Sequence, residues 1–561
     1  MTRDDVIAAL EEMATLLELA GENPFKVRAF QNGARVLESI SEPLAEMIAS
    51  GALRTVKGIG SGLFQDIRCL VETGSLPALD ALRARTPAGL LEMMELPGLG
   101  VKKVRALHDG LGIASVGELE YAISENRLLE LSGFGHKTQA KLSDAIVFWK
   151  RHRGQRLLAD VLGPAELLLS AIEQRVTGRA TLVGDLRRRC ETVDRIEILL
   201  CGVDPVQASL ALGAVPGLEA AEGDWAYHGM PVYVHHASPS EEGLALLFQT
   251  GSAGFLVELV ELARAQGFHL SREGLRQGDR PLEAPSEAQV FETLGLWPMP
   301  PETRETGRLA DWSRQVPSPQ LVVLSDIQGA FHLHSHYSDG SATLAELVHR
   351  ARAMGWRYLG ISDHSETAVY ARGLRRERVA EQLAEINGLR ETFPDIVIFS
   401  GIEADILADG DLDYDDETLS RFDFVIGSVH ARHGQDGDTM TKRLVKALAH
   451  PRLTMLGHLS GRLLLAREAS AIDMEAVLTA AAQHRKVIEL NANPHRLDID
   501  WRWLPRAREL GIPIAINPDA HSLEGMSDVR WGVEMARKGG LNRAQVWNTR
   551  PAEAIEAELR E

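Results

Sequence analysis

The sequence predicts a multidomain protein with a helical N-terminal region, a mixed α/β middle and a C-terminal barrel of alternating strands and helices. The chain has 561 residues, which exceeds one ordinary domain. Residues 1–150 have almost entirely helical patterns, and strand-like apolar runs alternate with helical stretches in the C-terminal third. Such β/α alternation is typical of a parallel sheet or barrel.

Composition restricts the possible environments and partners. The net charge of −19 argues against strong non-specific nucleic-acid binding by the whole surface, although local basic patches decide that question. Cys69, Cys190 and Cys201 form no C-x-x-C pair, which favours a reducing compartment. No apolar run reaches membrane-spanning length, and the acidic amphipathic N-terminus is unlike a signal peptide. We therefore expect a soluble cytoplasmic protein without membrane contacts.

Three short glycine turns recur within residues 1–150, and each precedes a predicted helix. Their glycines are Gly58 and Gly60, Gly98 and Gly100, and Gly133 and Gly135. Such a turn lets backbone N–H groups at a helix N-terminus face a phosphate oxygen. Lys102, Lys103 and Lys137 follow the turns and can add phosphate contacts. Ordinary helix C-caps are the alternative, but the repetition favours binding to a nucleic-acid backbone.

The middle of the chain changes character. Residues 180–183, 195–200 and 231–235 are strand-like, and residues 254–266 have a helical pattern. Residues 298–323 contain five prolines and little regular pattern, which is typical of a linker.

The strand-like runs of the C-terminal third nearly all end in metal-ligand residues. These are His332 and His334, His364, Glu403, His430, His458, and Asp519 with His521. A seventh run, residues 486–493, ends in amides. His332 and His334 point to the same side of one strand because side chains alternate with period two. In a (β/α) barrel the carboxyl ends of the strands form the active face, so the pattern predicts a multinuclear metal hydrolase.

The whole chain resembles the bacterial X-family DNA polymerases (relatives of DNA polymerase beta) that carry a C-terminal PHP (polymerase and histidinol phosphatase) domain. The resemblance rests on residues 23–30, the glycine turns, residues 184–199, 248–252 and 294–296, and the His-rich third. It implies a helix-hairpin-helix DNA-binding domain (1–80), a fingers-like helix-hairpin-helix domain (81–150), a degenerate nucleotidyltransferase-like palm (151–235), a thumb-like domain (236–305), a linker (306–325) and a PHP phosphoesterase domain (326–561). The PHP domain is expected to form a distorted (β/α)7 barrel.

The palm-like segment departs from the family pattern. The family holds two magnesium ions with an Asp-x-Asp pair and a third aspartate, and a Gly-Ser precedes its arginine pair. Here these positions carry Asp185, Arg195 with Glu197, and Tyr233. An arginine cannot bind a cation, so we predict that nucleotide addition is absent or feeble. The alternative is that Asp185 and Asp194 supply replacement carboxylates.

The palm's arginine pair is matched by Arg187 and Arg188. Without the metals, we expect them to contact only nucleic acid or a neighbouring acid.

The PHP-like third keeps each ligand position that can be aligned. The resemblance implies a first site of His332, His334, Glu403 and Asp519, a second of Asp339, His364 and His521, and a third in which His430 and His458 join Glu403. This predicts three divalent ions, manganese or zinc, since imidazole with carboxylate suits such metals better than calcium. Asp363 is expected either to orient a ligand or to act as a cap. Arg462 and Arg496 are candidate catalytic phosphate clamps, with structural salt bridges as the alternative.

These features predict a DNA-repair enzyme that hydrolyses phosphodiesters in a metal-dependent manner. Its expected activity is 3′-5′ exonuclease or 3′-end processing on gapped, nicked or 3′-ended DNA, in the cytoplasm and at the nucleoid when bound. Three alternatives stay open: a gap-filling polymerase with proofreading, a small-molecule phosphatase, and a non-catalytic repair scaffold. No protein partner can be predicted.

Overall fold

A computed structural model of the protein describes residues 1, 3–38, 40, 42–125, 127–221 and 224–560. The chain forms two compact units, Met1–Arg153 and Gly154–Glu561. Within the described ranges, no helix is both long and apolar enough to cross a lipid bilayer.

The first unit is helical, as predicted. Its helices are α1 Arg3–Leu19, α2 Pro24–Glu38, α3 Leu44–Ala49, α4 Ser61–Thr73, α5 Pro77–Arg85, α6 Ala88–Met94, α7 Val101–Leu111, α8 Val116–Ser124 and α9 His136–His152. One apolar core, built mainly from leucines of these helices, runs through the unit. The helices of this unit therefore pack their apolar faces into one continuous core.

The three glycine turns share one conformation. The first glycine of each, Gly58, Gly98 and Gly133, has φ of 104°, 87° and 88°, which is left-handed backbone that favours glycine. The residue between the glycines (Ile59, Leu99 or Phe134) is buried in the helical core. The second glycine is the extended N-cap of α4, α7 or α9, without a side-chain capping bond. Each turn thus leaves the N–H groups at the start of its helix available to a ligand.

The second unit begins with the predicted mixed α/β region. Its strands are β1 Arg156–Leu157, β2 Arg179–Val183, β3 Thr192–Val193, β4 Ile196–Cys201, β5 Leu218–Ala221, β6 Asp224–Tyr227, β7 Met230–Ala237, β8 Phe268–Ser271, β9 Gly274–Gln277 and β10 Arg280–Leu282. Its helices are α10 Leu158–Glu173, α11 Gly184–Arg187, α12 Pro205–Gly213, α13 Glu242–Thr250, α14 Ala253–Ala265 and α15 Glu287–Thr293. The main sheet has the order β2-β4-β7-β6-β5. In it, β4 and β7 are parallel and the other neighbours are antiparallel.

Residues 306–325 are largely exposed but are anchored at a few buried positions. Trp312 and Val322 are both buried. The Trp297 N–H donates to the Trp312 carbonyl at 2.7 Å, and the Val322 N–H donates to the Leu541 carbonyl at 3.0 Å. The segment therefore contacts both the preceding region and the C-terminal barrel, while the domain boundaries themselves stay predictions.

The C-terminal third forms the expected barrel. Its strands pair in chain order, all parallel: β11 Gly329–Ala330, β12 Tyr358–Ile361, β13 Val397–Asp405, β14 Phe424–Ser428, β15 Met455–Leu456, β16 Val487–Asn491 and β17 Ile514–Asn517. The helices are α16 Leu344–Ala353, α17 Arg376–Thr392, α18 Asp416–Leu419, α19 Gly437–Leu448, α20 Met474–Gln483, α21 Leu504–Glu509, α22 Val529–Lys538 and α23 Ala552–Arg560. A parallel bridge between Leu333 and Ala520 nearly closes the barrel.

An aromatic cluster fills part of the barrel core. The Phe331 ring lies 4.7 Å from the Trp547 ring and 5.3 Å from the Phe424 ring, measured between centroids. Phe331 directly precedes His332, so this packing fixes the strand end that carries the His-x-His pair. The core thereby positions the first two candidate ligands.

Candidate metal centre

Nine predicted ligands converge at the carboxyl ends of the barrel strands. They form four overlapping groups whose candidate ligand atoms lie within 4.8 Å of one another. The groups are His334 with Asp339, His364 and His521; His332 with Glu403 and His458; His332 with His334 and Asp519; and His364 with Glu403 and His430. Residues separated by up to 189 positions in the sequence thus share one site.

Glu403 lies at the centre of the cluster. Its carboxylate, fully buried on β13, lies 2.8 Å from His364 Nδ1, 3.0 Å from His458 Nε2, 3.2 Å from His430 Nε2 and 3.3 Å from His332 Nε2. Four imidazoles around one carboxylate is the arrangement expected of a bridging metal ligand.

The other side of the cluster is more open. Asp339 lies 3.4 Å from His521 Nε2, 3.6 Å from His364 Nε2 and 3.8 Å from His334 Nδ1. Asp519 Oδ1 lies 3.2 Å from His334 Nε2. The His521 side chain is 40% exposed, whereas the His334 side chain is fully buried. Substrate would therefore approach from the side of Asp339 and His521.

Several buried ligand atoms lack a hydrogen-bond partner. Within the described part of the chain, these are His332 Nε2, His334 Nδ1, His364 Nδ1, His458 Nδ1 and Glu403 Oε2. A buried polar atom without a partner is costly, and a bound cation would satisfy it. The donor set of imidazole nitrogens and carboxylate oxygens suits zinc, manganese or iron. The residues present therefore fit divalent metal ions.

The central carboxylates are held in the charged form. Burial alone would raise the pKa of Glu403, but the neighbouring His430 and His332 outweigh it and lower this pKa well below its ordinary value. Burial likewise opposes ionisation of Asp519, yet His332 and His334 lower its pKa well below the usual range. Both groups are thus anionic and ready to bind a cation at neutral pH.

The imidazoles differ in protonation when no metal is bound. Burial would lower the pKa of His430, but the charge of Glu403 outweighs it and raises this pKa to about 10. In the same way, Asp339 offsets burial and raises the pKa of His521 to about 9. Burial and the nearby His521 lower the pKa of His334 to about 3. At neutral pH the His334 imidazole is therefore already neutral and could bind a metal ion directly. His430 and His521 are protonated and would have to release a proton first.

Glu489, which the sequence reasoning missed, supports the centre from β16. It is fully buried, accepts from His332 Nδ1 at 2.7 Å, and accepts from the His458 backbone N–H at 2.8 Å. Asn517 donates to it at 3.0 Å. Such a carboxylate fixes the ring orientation of a metal-binding histidine. The available signal was an acidic residue inside the otherwise apolar run Val487–Leu490.

Two further aspartates hold the site in place. Asp405 lies 2.5 Å from His430 Nδ1 and so orients that ring. Asp363 accepts from the backbone N–H groups of Ser335 and Ser338 at 2.8 and 3.1 Å. It therefore caps the loop between His334 and Asp339, which corresponds to the cap alternative.

The two candidate phosphate-clamping arginines differ. Arg462 donates to the Arg496 carbonyl at 2.8 Å and to Asp500 at 2.7 Å, and it also donates to the Leu497 carbonyl. These are the contacts of a structural salt bridge. Arg496 is closer to the cluster, with its Nε 3.5 Å from Asp519 Oδ2.

The palm-like segment holds arginine where the family pattern has aspartate. Arg195 pairs with Asp194 at 2.7 Å, and its guanidinium carbon lies 5.4 Å from the centre of the Tyr233 ring. Glu197 and Tyr233, which stand at two of the family's aspartate positions, are paired in register on the neighbouring strands β4 and β7. Glu197 contacts His235 at 3.3 Å. Among the described residues, every group of three or more clustered candidate ligands lies in the barrel instead.

The palm's two arginines contact neighbouring acids. Arg187 donates to both carboxylate oxygens of Glu287, at 2.9 and 2.7 Å. Arg188 pairs with Asp185 and with Glu305. Asp185 is thus paired with an arginine, which does not favour its use as a replacement metal ligand.

The lysines that follow the glycine turns are exposed. Lys103 Nζ donates to the Gly98 carbonyl at 2.8 Å and so closes the second turn. Lys102 and Lys137 stand on the exposed first turns of α7 and α9.

Comparisons with known proteins agree with this architecture. Family profiles match a helix-hairpin-helix domain at residues 1–76, a SAM-like helix-hairpin-helix tandem at 90–146, a DNA polymerase beta thumb at 245–305 and a PHP domain at 330–493. Together these define an X-family DNA polymerase architecture that carries a PHP domain.

The relatives identify the family more closely. The chain is 32% identical to the "DNA polymerase/3′-5′ exonuclease PolX" of Bacillus subtilis (strain 168) over 576 aligned positions, covering 100% of both chains. A probable phosphatase of Thermoanaerobacter sp. (strain X514) is 25% identical, covering 38% of this chain and 89% of its own length. A probable phosphatase of Caldicellulosiruptor saccharolyticus is 29% identical, covering 32% and 73%. The chain belongs to the PolX family.

Proposed function

We propose that the protein is a DNA-binding, metal-dependent phosphodiesterase that removes or processes 3′ ends during DNA repair. The observation that carries this proposal is the convergence of nine ligand side chains, with buried ligand atoms that lack hydrogen-bond partners. The relationship to a 3′-5′ exonuclease over the full chain supports the same activity.

Three divalent ions, manganese or zinc, would be held by the nine side chains. His332, His334, Glu403 and Asp519 would hold the first ion; Asp339, His364 and His521 the second; and His430 and His458, with Glu403, the third. Bound ions of this kind lower the pKa of water and neutralise phosphate oxygens. Glu489 and Asp405 fix the rings of His332 and His430. Arg496, whose Nε lies 3.5 Å from Asp519 Oδ2, would contact a phosphate oxygen.

The helix-hairpin-helix unit supports DNA as the substrate. Its three turns present helix N-termini of the kind that bind phosphate oxygens, and Lys102, Lys103 and Lys137 add positive charge. Gapped, nicked or 3′-ended DNA fits this arrangement. With such a substrate the protein would act in the cytoplasm, at the nucleoid when bound.

We further propose that the palm-like segment does not add nucleotides. Arg195, stacked on Tyr233, places a fixed positive charge where the family pattern holds metal ions. The arginines of this segment are paired with Glu287 and Glu305 rather than free for a triphosphate.

One experiment tests both proposals. Purified protein is given a 5′-labelled gapped duplex and manganese, with and without deoxynucleotides. We expect the 3′ end to be shortened and not extended, and His334→Ala to abolish cleavage while duplex binding persists. Extension of the primer would overturn the second proposal. Release of phosphate from a small phosphomonoester without DNA cleavage would instead favour the phosphatase alternative suggested by the probable phosphatases.

A further inference from the structure

Two neighbouring exposed apolar side chains lie on the loop that follows His364, and the second of them, Tyr370, is close to the metal centre. Val369 is 80% exposed and Tyr370 is 69% exposed, although both lie in a buried neighbourhood of the barrel. The Tyr370 ring centroid lies 5.9 Å from that of His364 and 6.1 Å from that of His430. The Tyr370 ring is therefore both exposed and adjacent to candidate ligands, so it is accessible to a molecule bound at the centre.

The loop that carries these residues is held firmly. Val369–Ala371 form a short 3-10 turn whose flanking Ala368 and last residue, Ala371, are 0% and 1% exposed. The Gly373 N–H donates to the Ala368 carbonyl at 3.0 Å. The turn therefore presents Val369 and Tyr370 outwards on a rigid base, so little ordering is required when a ligand binds.

The same loop is joined to the metal centre at both ends. The Ser365 N–H donates to the Glu403 carbonyl at 2.9 Å, and the Leu374 N–H donates to the His364 carbonyl at 2.7 Å. Thr367 donates through its hydroxyl to Asp405 at 3.1 Å, and Asp405 in turn holds His430. The position of Tyr370 is thus set by residues that also set the position of the candidate ligands.

Resting on the proposed function, we propose that Tyr370 forms a stacking platform for the nucleobase of the 3′-terminal nucleotide. A nucleotide whose scissile phosphate lies at the metal centre would carry its base outside the ligand cluster, and the exposed Tyr370 ring stands at the edge of that cluster, 5.9 Å from the His364 ring and 6.1 Å from the His430 ring. Stacking on an aromatic ring needs an unpaired base and accepts every base, since each has a π-face. The platform would therefore select frayed or single-stranded 3′ ends with little sequence preference.

The test compares two 5′-labelled single strands that differ only at the 3′ terminus. One ends in an ordinary nucleotide and the other in an abasic residue, and release of the terminal residue is followed with manganese present. For Tyr370→Ala we expect KM on the base-bearing strand to rise about tenfold, a loss typical of a missing aromatic stacking partner. The kcat should stay within about twofold, and KM on the abasic strand should not change.

Conservative variants separate stacking from other roles. Tyr370→Phe and Tyr370→Trp should keep the wild-type KM, because both keep an aromatic face. Leu210→Ala, which removes a 74% exposed side chain from α12, serves as the matched control and should change neither constant.

The possible outcomes point to different conclusions. Equal impairment of Tyr370→Ala on both strands would overturn the platform and indicate a role for the loop in shaping the centre. Impairment of Tyr370→Phe would assign the role to the hydroxyl group instead, and an unchanged KM would mean that no base stacks there. If the wild-type protein releases no nucleotide from either strand, the proposed function itself fails, and this is seen before any variant is made.

Discussion

Glu489 is a single buried side chain that orients two candidate metal ligands. Its two carboxylate oxygens hold the ring of His332 and the backbone of His458. For Glu489→Gln we expect a roughly 10- to 100-fold loss of metal affinity, the range found for such supporting groups. Metal titration of the stripped protein measures this loss.

The matched control for that variant is Glu475→Gln. Glu475 pairs with Arg506 on the exposed surface, so the same chemical change there should leave metal affinity unaltered. Unchanged affinity in Glu489→Gln would mean that His332 is oriented by the barrel alone.

The histidine pKa values at the centre predict how metal binding depends on pH. His430 and His521, with pKa values of about 10 and 9 in the metal-free protein, are protonated at neutral pH. A metal-bound imidazole must be neutral, so binding releases these protons. Metal affinity should therefore rise as pH increases towards about 10, as the competing protons leave first His521 and then His430.

Calorimetry checks this expectation at one pH. At pH near 7, the apparent binding enthalpy should vary with the ionisation enthalpy of the buffer, and the slope should show release of more than one proton. A binding enthalpy independent of the buffer would contradict the assigned protonation of His430 and His521.

At the scale of elements, the barrel was predictable because its signal is local. Each strand is a short apolar run, and all of them except β16 end within a few residues of a candidate ligand, as at Glu403 on β13 and His430 after β14. The order of parallel strands then brings these ends together. The sequence could not decide whether Arg462 clamps phosphate or forms a salt bridge, because its partners, two backbone carbonyls and Asp500, lie more than thirty residues away in a loop without regular pattern.

The two glycines of each turn are required for different reasons: the first for its left-handed backbone and the second for open space at the start of the helix. Substitutions at the two positions should therefore have different effects. Gly98 has φ of 87°, so Gly98→Ala should strain the turn and destabilise the fold by about 1 kcal/mol. At Gly100 the backbone is extended and an added Cβ would meet nothing within 4 Å. Gly100→Ala should therefore leave the turn unstrained and cost only the N-cap preference for glycine over alanine, at most about 1 kcal/mol. It should weaken duplex binding, because the methyl group would stand where a phosphate approaches.

Binding is best compared in the triple variant Gly60→Ala, Gly100→Ala, Gly135→Ala, since all three positions are open in the same way. Fluorescence anisotropy over a range of salt concentrations should show weaker binding and a shallower salt dependence than for the wild type. Wild-type affinity in a folded triple variant would exclude the glycine turns as the phosphate contacts.

At the scale of the second unit, a buried ionic network joins the palm-like, thumb-like and barrel parts. Lys538, 1% exposed at the end of α22, donates to the Arg188 carbonyl at 2.9 Å and pairs with Glu305 at 2.5 Å. Glu305 also pairs with Arg188, which donates to the Thr250 carbonyl at 2.7 Å. Arg188, which the family resemblance assigns to the palm, thus contacts both the thumb-like part and the barrel.

Lys538→Met tests this structural role. The variant removes one of the two cations that pair with the Glu305 carboxylate and leaves only Arg188, so we expect a destabilisation of up to about 3 kcal/mol. Urea unfolding can be followed through Trp501, whose ring lies 4.8 Å from Lys538 Nζ. Lys442→Met, on the exposed face of α19, should change stability by no more than about 0.5 kcal/mol.

A double variant tests whether the Lys538–Glu305 ion pair itself contributes to the stability of the second unit. If Lys538 stabilises the unit mainly through Glu305, then Lys538→Met combined with Glu305→Gln should destabilise less than the sum of the single changes, because the second change removes the uncompensated charge. Strict additivity would mean that Lys538 acts through the Arg188 carbonyl and Trp501 instead. In that case the palm-like part would be attached to the barrel by apolar packing and hydrogen bonds, and its arginine pair would need another explanation.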